Sequence, residues 1–191
     1  MQDYVYFDLE TQRSANDVGG WGHKDKMGMS VGVTYSTKTN QYHIYSENQA
    51  DQLIEQLVKA DLVIGFNHIS FDYEVLLQYT ILDLKTQTRN LDLMVDLEEI
   101  LGHRIKLDSV AKATLGPDKS KTAEGLQAIK WWQEYKSTGN KKPLLEIAEY
   151  CAYDVKVTRL VHEYGYQNGH IKYADRAGRE QQTPLTWSPP N

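Results

Sequence analysis

The N-terminal quarter of the chain carries hydrophobic positions at every second residue, which is the spacing of half-buried β-strands. Residues 4–7 predict a first strand, and the polar, glycine-rich residues 12–28 predict a loop. Alternation across residues 31–35 predicts a second strand. Residues 36–40 favour a turn, and residues 41–45 predict a third strand. The second and third strands are therefore expected to form a hairpin.

After this hairpin the hydrophobic spacing changes to that of helices separated by short apolar strands. Residues 51–60 predict an amphipathic helix, residues 61–66 a buried strand, and residues 71–79 another helix. A fifth strand is expected over residues 90–94. Later helices are expected over residues 95–101, 108–115, 123–135 and 143–164, the last with Pro143 at its start.

The order β-β-β-α-β-α-β-α predicts an α/β fold, because helix crossovers add parallel strands to the sheet begun by the hairpin. We expect a mixed central sheet of about five strands flanked by helices. The length of 191 residues suits one hydrophobic core. Residues 1–164 are expected to form this domain, and residues 165–191 a C-terminal hairpin extension packed on it.

Composition narrows the functional classes only slightly. The formal net charge of −5 argues against a protein that coats long stretches of nucleic acid, yet two bound divalent cations would change −5 to −1. The single cysteine, Cys151, excludes an intramolecular disulfide and fits a reducing compartment. The chain shows neither a signal-peptide pattern nor an apolar run of about 20 residues. We therefore expect a cytoplasmic protein that does not associate with a membrane.

Acidic residues occur at three places where strands meet turns or helices. Asp8 and Glu10 come directly after the hydrophobic residues of the first strand and lie on one face of that strand, because strand side chains alternate. Asp72 stands near the start of the helix after residues 61–66, and an ordinary first-turn acid would look the same. Tyr150 and Asp154 are four residues apart on one helix face, where a Tyr–Asp pair on a solvated surface is the alternative.

Taken together, these acids predict a metal site. The first strand is expected to be central in the sheet, and Asp72 follows the strand predicted beside it, residues 61–66. Asp154 lies on a late helix that can pack across the edge of the sheet where these acids lie. Four converging carboxylates without a counter-charge would be strongly destabilising. Two hard divalent ions, Mg²⁺ or Mn²⁺, would resolve this, because they take oxygen ligands from carboxylates and substrate phosphate.

The stretches FDLET, NHISFD and YCAYD resemble, in this order, the three motifs of the DEDD superfamily of 3′–5′ exonucleases. This superfamily has a ribonuclease H-like fold and includes polymerase proofreading domains, ribonuclease D and oligoribonuclease. Tyr150 stands four residues before Asp154, and Glu149 stands where the alternative subclass has a histidine, so the chain resembles the tyrosine (DEDDy) subclass. The segment GHRIKLDSVAKATLG also resembles exonuclease-like domains found alone or attached to helicases in bacteria and archaea.

This resemblance implies a fold, a reaction and residue roles. The implied activity is metal-dependent release of nucleoside 5′-monophosphates from the 3′ end of single-stranded DNA or RNA. Asp8, Glu10 and Asp154 would hold one ion, with Asp8 bridging to a second that Asp72 positions, and Tyr150 would orient the attacking water. The remaining implied site residues would support the site or contact the terminal nucleotide: Leu9, Thr11, Asn67, His68 and Phe71. A helicase or another DNA- or RNA-processing protein is an implied partner.

Two other functional classes stay open at this point. A non-catalytic nucleic-acid-binding or scaffolding module on the same fold would be expected to lack the acids. A ribonuclease H-like endonuclease is disfavoured by the Tyr150–Asp154 spacing. The six histidines show no zinc-ligand spacing, and LGPDKSKT lacks the spacing of an ATP-binding phosphate loop.

Several further side chains could contact a nucleic acid strand. Lys119 and Lys121 could bind the backbone, although a solvated loop is the alternative. Trp131 and Trp132 are adjacent on a predicted helix, so one is expected in the core while the other could stack on a base. Trp21 and His23, in the loop after the first acids, are further candidates.

Overall fold

The computed structural model describes residues 2–116, 125–175 and 177–189. Lys119 and Lys121 lie outside these ranges. The strands are β1 (Tyr4–Thr11), β2 (Met29–Ser36), β3 (Gln41–Ser46), β4 (Leu62–Gly65), β5 (Asn90–Asp92), β6 (His170–Ala174) and β7 (Glu180–Pro184). The helices are α1 (Ala15–Val18), α2 (Ala50–Lys59), α3 (Asp72–Leu76), α4 (Leu84–Gln87), α5 (Leu93–Leu101), α6 (Leu107–Leu115), α7 (Gly125–Thr138) and α8 (Lys142–Asn168).

β1 is the central strand of a mixed five-stranded sheet with the order β3-β2-β1-β4-β5. It pairs antiparallel with β2 and parallel with β4, and β4 pairs parallel with β5. The predicted α/β architecture is therefore confirmed. Short helices α1 and α4, and a 3₁₀ segment over Trp21–Lys26, add to the elements that the sequence predicts.

β1 extends beyond the hydrophobic residues that predict it. Hydrophobic residues alone indicate an end at residue 7, but pairing with β2 continues to Thr11, with Asp8 opposite Val33 and Glu10 opposite Val31. The two acids therefore lie within β1 and pair with β2, beyond Tyr6, the last residue of β1 that pairs with β4. Hydropathy hides this because the polar side chains at these positions interrupt an otherwise apolar run.

The two faces of β1 enter two separate hydrophobic clusters. Tyr4 and Tyr6 face a cluster formed with α5, α6, α7 and α8, whereas Val5 and Phe7 face a cluster formed with α2 and α3. Each buried side chain of this size contributes about 2 kcal/mol of transfer free energy. Because strand side chains alternate, the acids at even-numbered positions lie on the same face as the two tyrosines, towards α8.

The 27-residue helix α8 crosses that face of the sheet and contacts β1 and β2. Pro143 occupies its first turn, where a missing N–H costs nothing, and Gly169 ends it with a left-handed φ of 70°. On its sheet-facing side, Cys151 and Val155 are completely buried. No described helix of the structure is long and apolar enough to cross a membrane.

The C-terminal strands β6 and β7 form a separate antiparallel hairpin. Ile171, Leu185 and Trp187 from this region belong to the same hydrophobic cluster as α8, and the Trp187 indole donates to Asp96 Oδ2 at 2.5 Å. Helix α8 continues to Asn168, past the predicted boundary at residue 164. The division of the chain at that point stays a prediction.

Candidate active site

Three carboxylates from two distant parts of the chain meet at the carboxyl end of β1. One oxygen from each of Asp8, Glu10 and Asp154 lies within 4.8 Å of the other two. Strand alternation puts the first two on one face of β1. Helix α8 brings the third to that face, because Cys151 and Val155 on either side of it are buried against the sheet. The cluster thus follows from a strand's period and the packing of one long helix.

A fourth carboxylate, Asp72, is held beside this cluster by the turn that follows β4. It is the first residue of α3 and is buried, and its Oδ1 accepts a 3.1 Å hydrogen bond from the Leu9 N–H. Its negative charge raises the pKa of Asp8, so the two groups are electrostatic neighbours. The parallel pairing of β1 and β4 places the turn at the same end of the sheet as the other acids.

Asp92, at the end of β5, braces that turn. Its carboxylate accepts hydrogen bonds of 2.7 Å from the Asn67 N–H and 3.0 Å from the Ile69 N–H, while also capping α5 at Met94. Asn67 has a left-handed φ of 71°, which costs about 1 kcal/mol or more for a residue with a side chain. Hydrogen bonds to a buried carboxylate offset this cost, so the turn that presents Asp72 is held in one conformation.

Burial raises the pKa values of all four acids, and repulsion from nearby carboxylates raises them further. Burial is the largest cause for Asp72 and Asp154, and it raises the pKa of each from 3.8 to about 7. The pKa values of Asp8 and Glu10 also lie well above the usual range, through burial first and then repulsion from neighbouring carboxylates. Without a counter-charge, the site would hold protons at neutral pH.

The donor atoms of this site fit a hard divalent cation. Asp154 Oδ1 is buried and has no hydrogen-bond partner within the described residues. The three clustered groups all offer carboxylate oxygen, which Mg²⁺ and Mn²⁺ prefer. Cys151 donates to the Asp8 carbonyl at 3.3 Å and to its Oδ2 at 3.5 Å, and burial raises the pKa of this thiol. It therefore stays neutral and does not compete as a thiolate ligand.

Tyr150 lies one helical turn before Asp154 and is hydrogen-bonded to its carboxylate. Burial, followed by repulsion from the acids, raises the pKa of Tyr150 well above its usual range. The Trp131 ring lies 6.5 Å from the Tyr150 ring, whereas Trp132 is in the core. A phenol that stays protonated at neutral pH can orient a water molecule by hydrogen bonding but cannot act as a base there.

The four acids line an open cleft of about 630 Å³. Four of the residues predicted to support the site or contact substrate also line it: Leu9, Thr11, Asn67 and Phe71. His68 does not, because its side chain is completely buried and its Nε2 lies 3.1 Å from Asn90 Oδ1. The predicted contact of His68 with substrate is therefore not retained. Trp21 lines the cleft, and His23 is not among its lining residues.

Three residues for which the sequence predicted no role in the site help to shape it: Asp92, Arg104 and Cys151. Asp92 directly precedes the apolar residues of α5, and an aspartate at that position is a common helix N-cap, so its capping role could have been predicted from the sequence. Arg104 donates to Asn67 Oδ1 at 2.6 Å across 37 residues, and Cys151 reaches Asp8 across 143 residues. No sequence pattern predicts these two contacts, because each depends on how separate elements pack.

Comparisons with known proteins concern the whole of this architecture. The model of the RNase H superfamily matches residues 5–166. The curated protein sequences contain no match to the chain. Among solved structures, the chain is similar to the family B DNA polymerase of the hyperthermophilic archaeon Pyrobaculum calidifontis, with a TM-score of 0.59 and 14% sequence identity. The alignment covers 86% of this chain and 24% of the polymerase.

Exonuclease I is another structural relative. The zinc-bound form of E. coli exonuclease I in complex with single-stranded DNA has a TM-score of 0.48 and 14% identity, over 88% of this chain and 41% of that one. This chain therefore spans about a quarter of the polymerase and about two fifths of exonuclease I. At these identities the likeness concerns the fold. The family match over residues 5–166 shows that the chain belongs to the RNase H superfamily and has its fold.

Proposed function

We propose that this protein is a metal-dependent 3′–5′ exonuclease of the tyrosine subclass, acting on single-stranded DNA or RNA ends. The observation that carries the proposal is the convergence of Asp8, Glu10 and Asp154 within 4.8 Å, with Asp72 on the same cleft. A structural role would not explain four acids with raised pKa values in one open cleft. A binding module would gain nothing from this arrangement, because uncompensated carboxylates repel phosphate.

Asp8, Glu10 and Asp154 would hold one divalent ion, and Asp8 together with Asp72 would hold a second. When bound, such ions supply charge that stabilises the attacking and the leaving oxygen of an in-line phosphoryl displacement. Asp72 is fixed in advance by its hydrogen bond to the Leu9 N–H. The proposed ligands are therefore carried by β1, by the turn after β4 and by α8.

The proposed reaction is hydrolysis of the last phosphodiester of a strand. The water oxygen forms a bond to phosphorus, and the bond from phosphorus to the 3′ oxygen of the preceding nucleotide breaks. That oxygen takes up a proton, so the products are a nucleoside 5′-monophosphate and a shortened strand with a free 3′-hydroxyl.

Tyr150 would position the attacking water in this reaction. Its hydrogen bond to Asp154 fixes the direction of the hydroxyl, and its raised pKa keeps the proton on the phenol. Phe71 provides apolar surface in the cleft for the terminal base and sugar, whereas Leu9 lines the cleft but is almost completely buried. Thr11 and Asn67 provide nearby polar groups. A partnership with a helicase or another processing protein stays a prediction.

The first experiment is a time course on 5′-labelled single strands of DNA and RNA with matched sequence. Mg²⁺ or Mn²⁺ is compared with EDTA, and wild type is compared with Asp8→Asn. We expect stepwise shortening from the 3′ end that requires metal and falls at least about 10³-fold in Asp8→Asn. Asp51→Asn, an exposed acid in the first turn of α2, serves as the matched control and should retain activity.

A circular strand and a strand with a blocked 3′ end separate the alternatives. Cleavage of the circle would indicate an endonuclease, because a circle has no end. Absence of cleavage in every arm, from a folded protein that binds metal, would favour the non-catalytic binding module. Either result would overturn the proposal.

A further inference from the structure

A second cleft of about 730 Å³ adjoins the cleft that contains the acids. The two clefts share four lining residues, Trp21, Phe66, Asn67 and Phe71. A chain threaded through one can therefore continue into the other without leaving the protein surface. The second cleft extends away from the carboxylates, towards the start of α6.

The two clefts have opposite charge. Three cationic residues line the second cleft, Lys24, Arg104 and Lys106, and none of its described lining residues is acidic. The whole chain has a net charge of −5, so this concentration of positive charge runs against the overall composition. The arrangement is electrostatically complementary to an anion that extends from the metal-binding acids.

Two of these cations are fixed in position by the protein. The Lys24 ammonium donates to the Ser70 carbonyl at 2.6 Å. The Arg104 guanidinium donates to Asn67 Oδ1 at 2.6 Å and lies 3.6 Å from Glu98, with 57% of its side chain exposed. Arginine has five N–H donors, so these contacts leave capacity for a phosphate oxygen.

Trp21 stands between the two clefts and is unusually exposed for a tryptophan. Its exposed fraction is 68%, and its ring centroid lies 6.3 Å from that of Phe71. Exposed aromatic rings beside cationic side chains are the features that bind single-stranded nucleic acids, because bases stack while phosphates pair with cations. A protein partner would explain the aromatic residues but would not require three cations beside a metal-binding cleft.

We propose that the second cleft binds the nucleotides immediately 5′ of the scissile phosphodiester in a single strand. This inference rests on the proposed function for its direction, since the acids would take the 3′ end and leave only the 5′ side to continue. Trp21 would stack on a base, and Arg104 and Lys106 would bind backbone phosphates. Strand length would then determine affinity, because a dinucleotide is too short to occupy both clefts.

The test measures binding separately from cleavage. A fluorescent single strand of about 12 nucleotides is titrated with Asp8→Asn protein, in which cleavage is suppressed, and anisotropy reports the affinity. Trp21→Ala and Lys106→Ala, each added to Asp8→Asn, should weaken binding about tenfold. Lys106→Ala should also lower the slope of log affinity against log salt by about 0.7.

Lys38→Ala is the matched control for lost positive charge. Lys38 is exposed in the turn between β2 and β3, at the opposite end of the sheet from the acids. It should leave the affinity and the salt dependence unchanged. Equal weakening by Lys38→Ala and Lys106→Ala would indicate general charge attraction and would overturn the inference.

A second arm compares cleavage of the long strand with cleavage of a dinucleotide by proteins that retain Asp8. The ratio of kcat/KM for the long strand to that for the dinucleotide should fall about tenfold in Trp21→Ala and Lys106→Ala. Unchanged binding and an unchanged ratio would overturn the proposed role of the second cleft, while the proposed exonuclease activity would stand. If the substitutions weaken binding but the wild-type protein cleaves neither substrate, the cleft would be a strand-binding site and the proposed exonuclease function would be wrong.

Discussion

Asp154 and Tyr150 form the smallest functional unit of this site. The Asp154 carboxylate receives the Tyr150 hydrogen bond, which lowers its pKa, while burial and the nearby Asp108 raise it. Its Oδ1 has no hydrogen-bond partner among the described residues. One carboxylate can therefore bind a cation through a free oxygen and hold a phenol in a fixed direction at the same time.

Tyr150→Phe should lower kcat by about 10–100-fold, with little change in the affinity for metal or strand. The ring remains packed against Trp131, and only the hydroxyl that we propose orients the water is lost. Single-turnover cleavage and titration of the strand on the same preparation would separate the two effects.

Tyr164→Phe provides the control for this substitution, because Tyr164 lies on the same helix and its hydroxyl is 3.3 Å from His170. Its activity should match that of wild type. A loss in Tyr150→Phe as large as that in Asp8→Asn would indicate that Tyr150 is chemically indispensable, which would contradict a positioning role.

Among the secondary-structure elements, the connection from β4 to α3 controls the position of Asp72. Gly65 ends β4, and a Cβ added there would lie 2.7 Å from His68 Nδ1 and 2.9 Å from its Cβ. His68 cannot move away easily, because it is completely buried beside Asp92 and Asn90. Close backbone approach at this point lets the turn fold tightly over the edge of the sheet.

Gly65→Ala should therefore destabilise the protein by about 2 kcal/mol and reduce activity even where the protein is still folded. The added methyl group would displace His68, and with it the turn that presents Asp72. Chemical denaturation and kcat/KM at a temperature well below the midpoint would measure the two effects.

Gly22→Ala is the matched control, because a Cβ there meets no atom within 4 Å. It should change stability by less than about 0.5 kcal/mol. Wild-type stability in Gly65→Ala would show that the packing around His68 is less tight than the structure indicates.

At the scale of the whole molecule, the clustering of four acids makes the stability of the fold depend on pH. The folded-state pKa values of Asp72 and Asp154, about 7, lie above the value of 3.8 for a free aspartate. Between these values the folded form keeps protons that the unfolded form has released. Stability of the metal-free protein is therefore highest below about pH 4 with respect to these groups, and it is lost as pH rises to about 7.

In EDTA, the melting temperature should fall as pH rises from about 5 to about 8, and Asp154→Asn should flatten this dependence. Saturating Mg²⁺ at about pH 8 should raise the free energy of unfolding by about 2–3 kcal/mol, because metal binds only the folded form. The control Asp51→Asn should show the same dependence on pH and on Mg²⁺ as wild type. Insensitivity of the wild-type melting temperature to Mg²⁺ would contradict the assignment of these acids as ligands.

Hydrophobic periodicity and the motifs were sufficient to predict much of this protein. Alternation and helical spacing predicted the strands of the central sheet and the long helix. In a strand or helix with one buried face, hydrophobic residues recur with the period of that element. The order of FDLET, NHISFD and YCAYD predicted which acids would share a cleft. The central position of the first strand was also predicted, because helix crossovers add parallel strands beside the initial hairpin.

Tertiary packing alone decided the remaining features. Pairing with β2 extends β1 as far as Thr11, whereas its hydrophobic residues alone ended at residue 7. His68 looked accessible beside Asn67, but the turn directs it into the core. The second cleft, with its cationic side chains, is formed by residues from three segments that are far apart in the chain, such as Lys24, Asn67 and Arg104. A sequence pattern reports the burial of one element, whereas cavities, charge segregation and ligand geometry arise only where several elements cross.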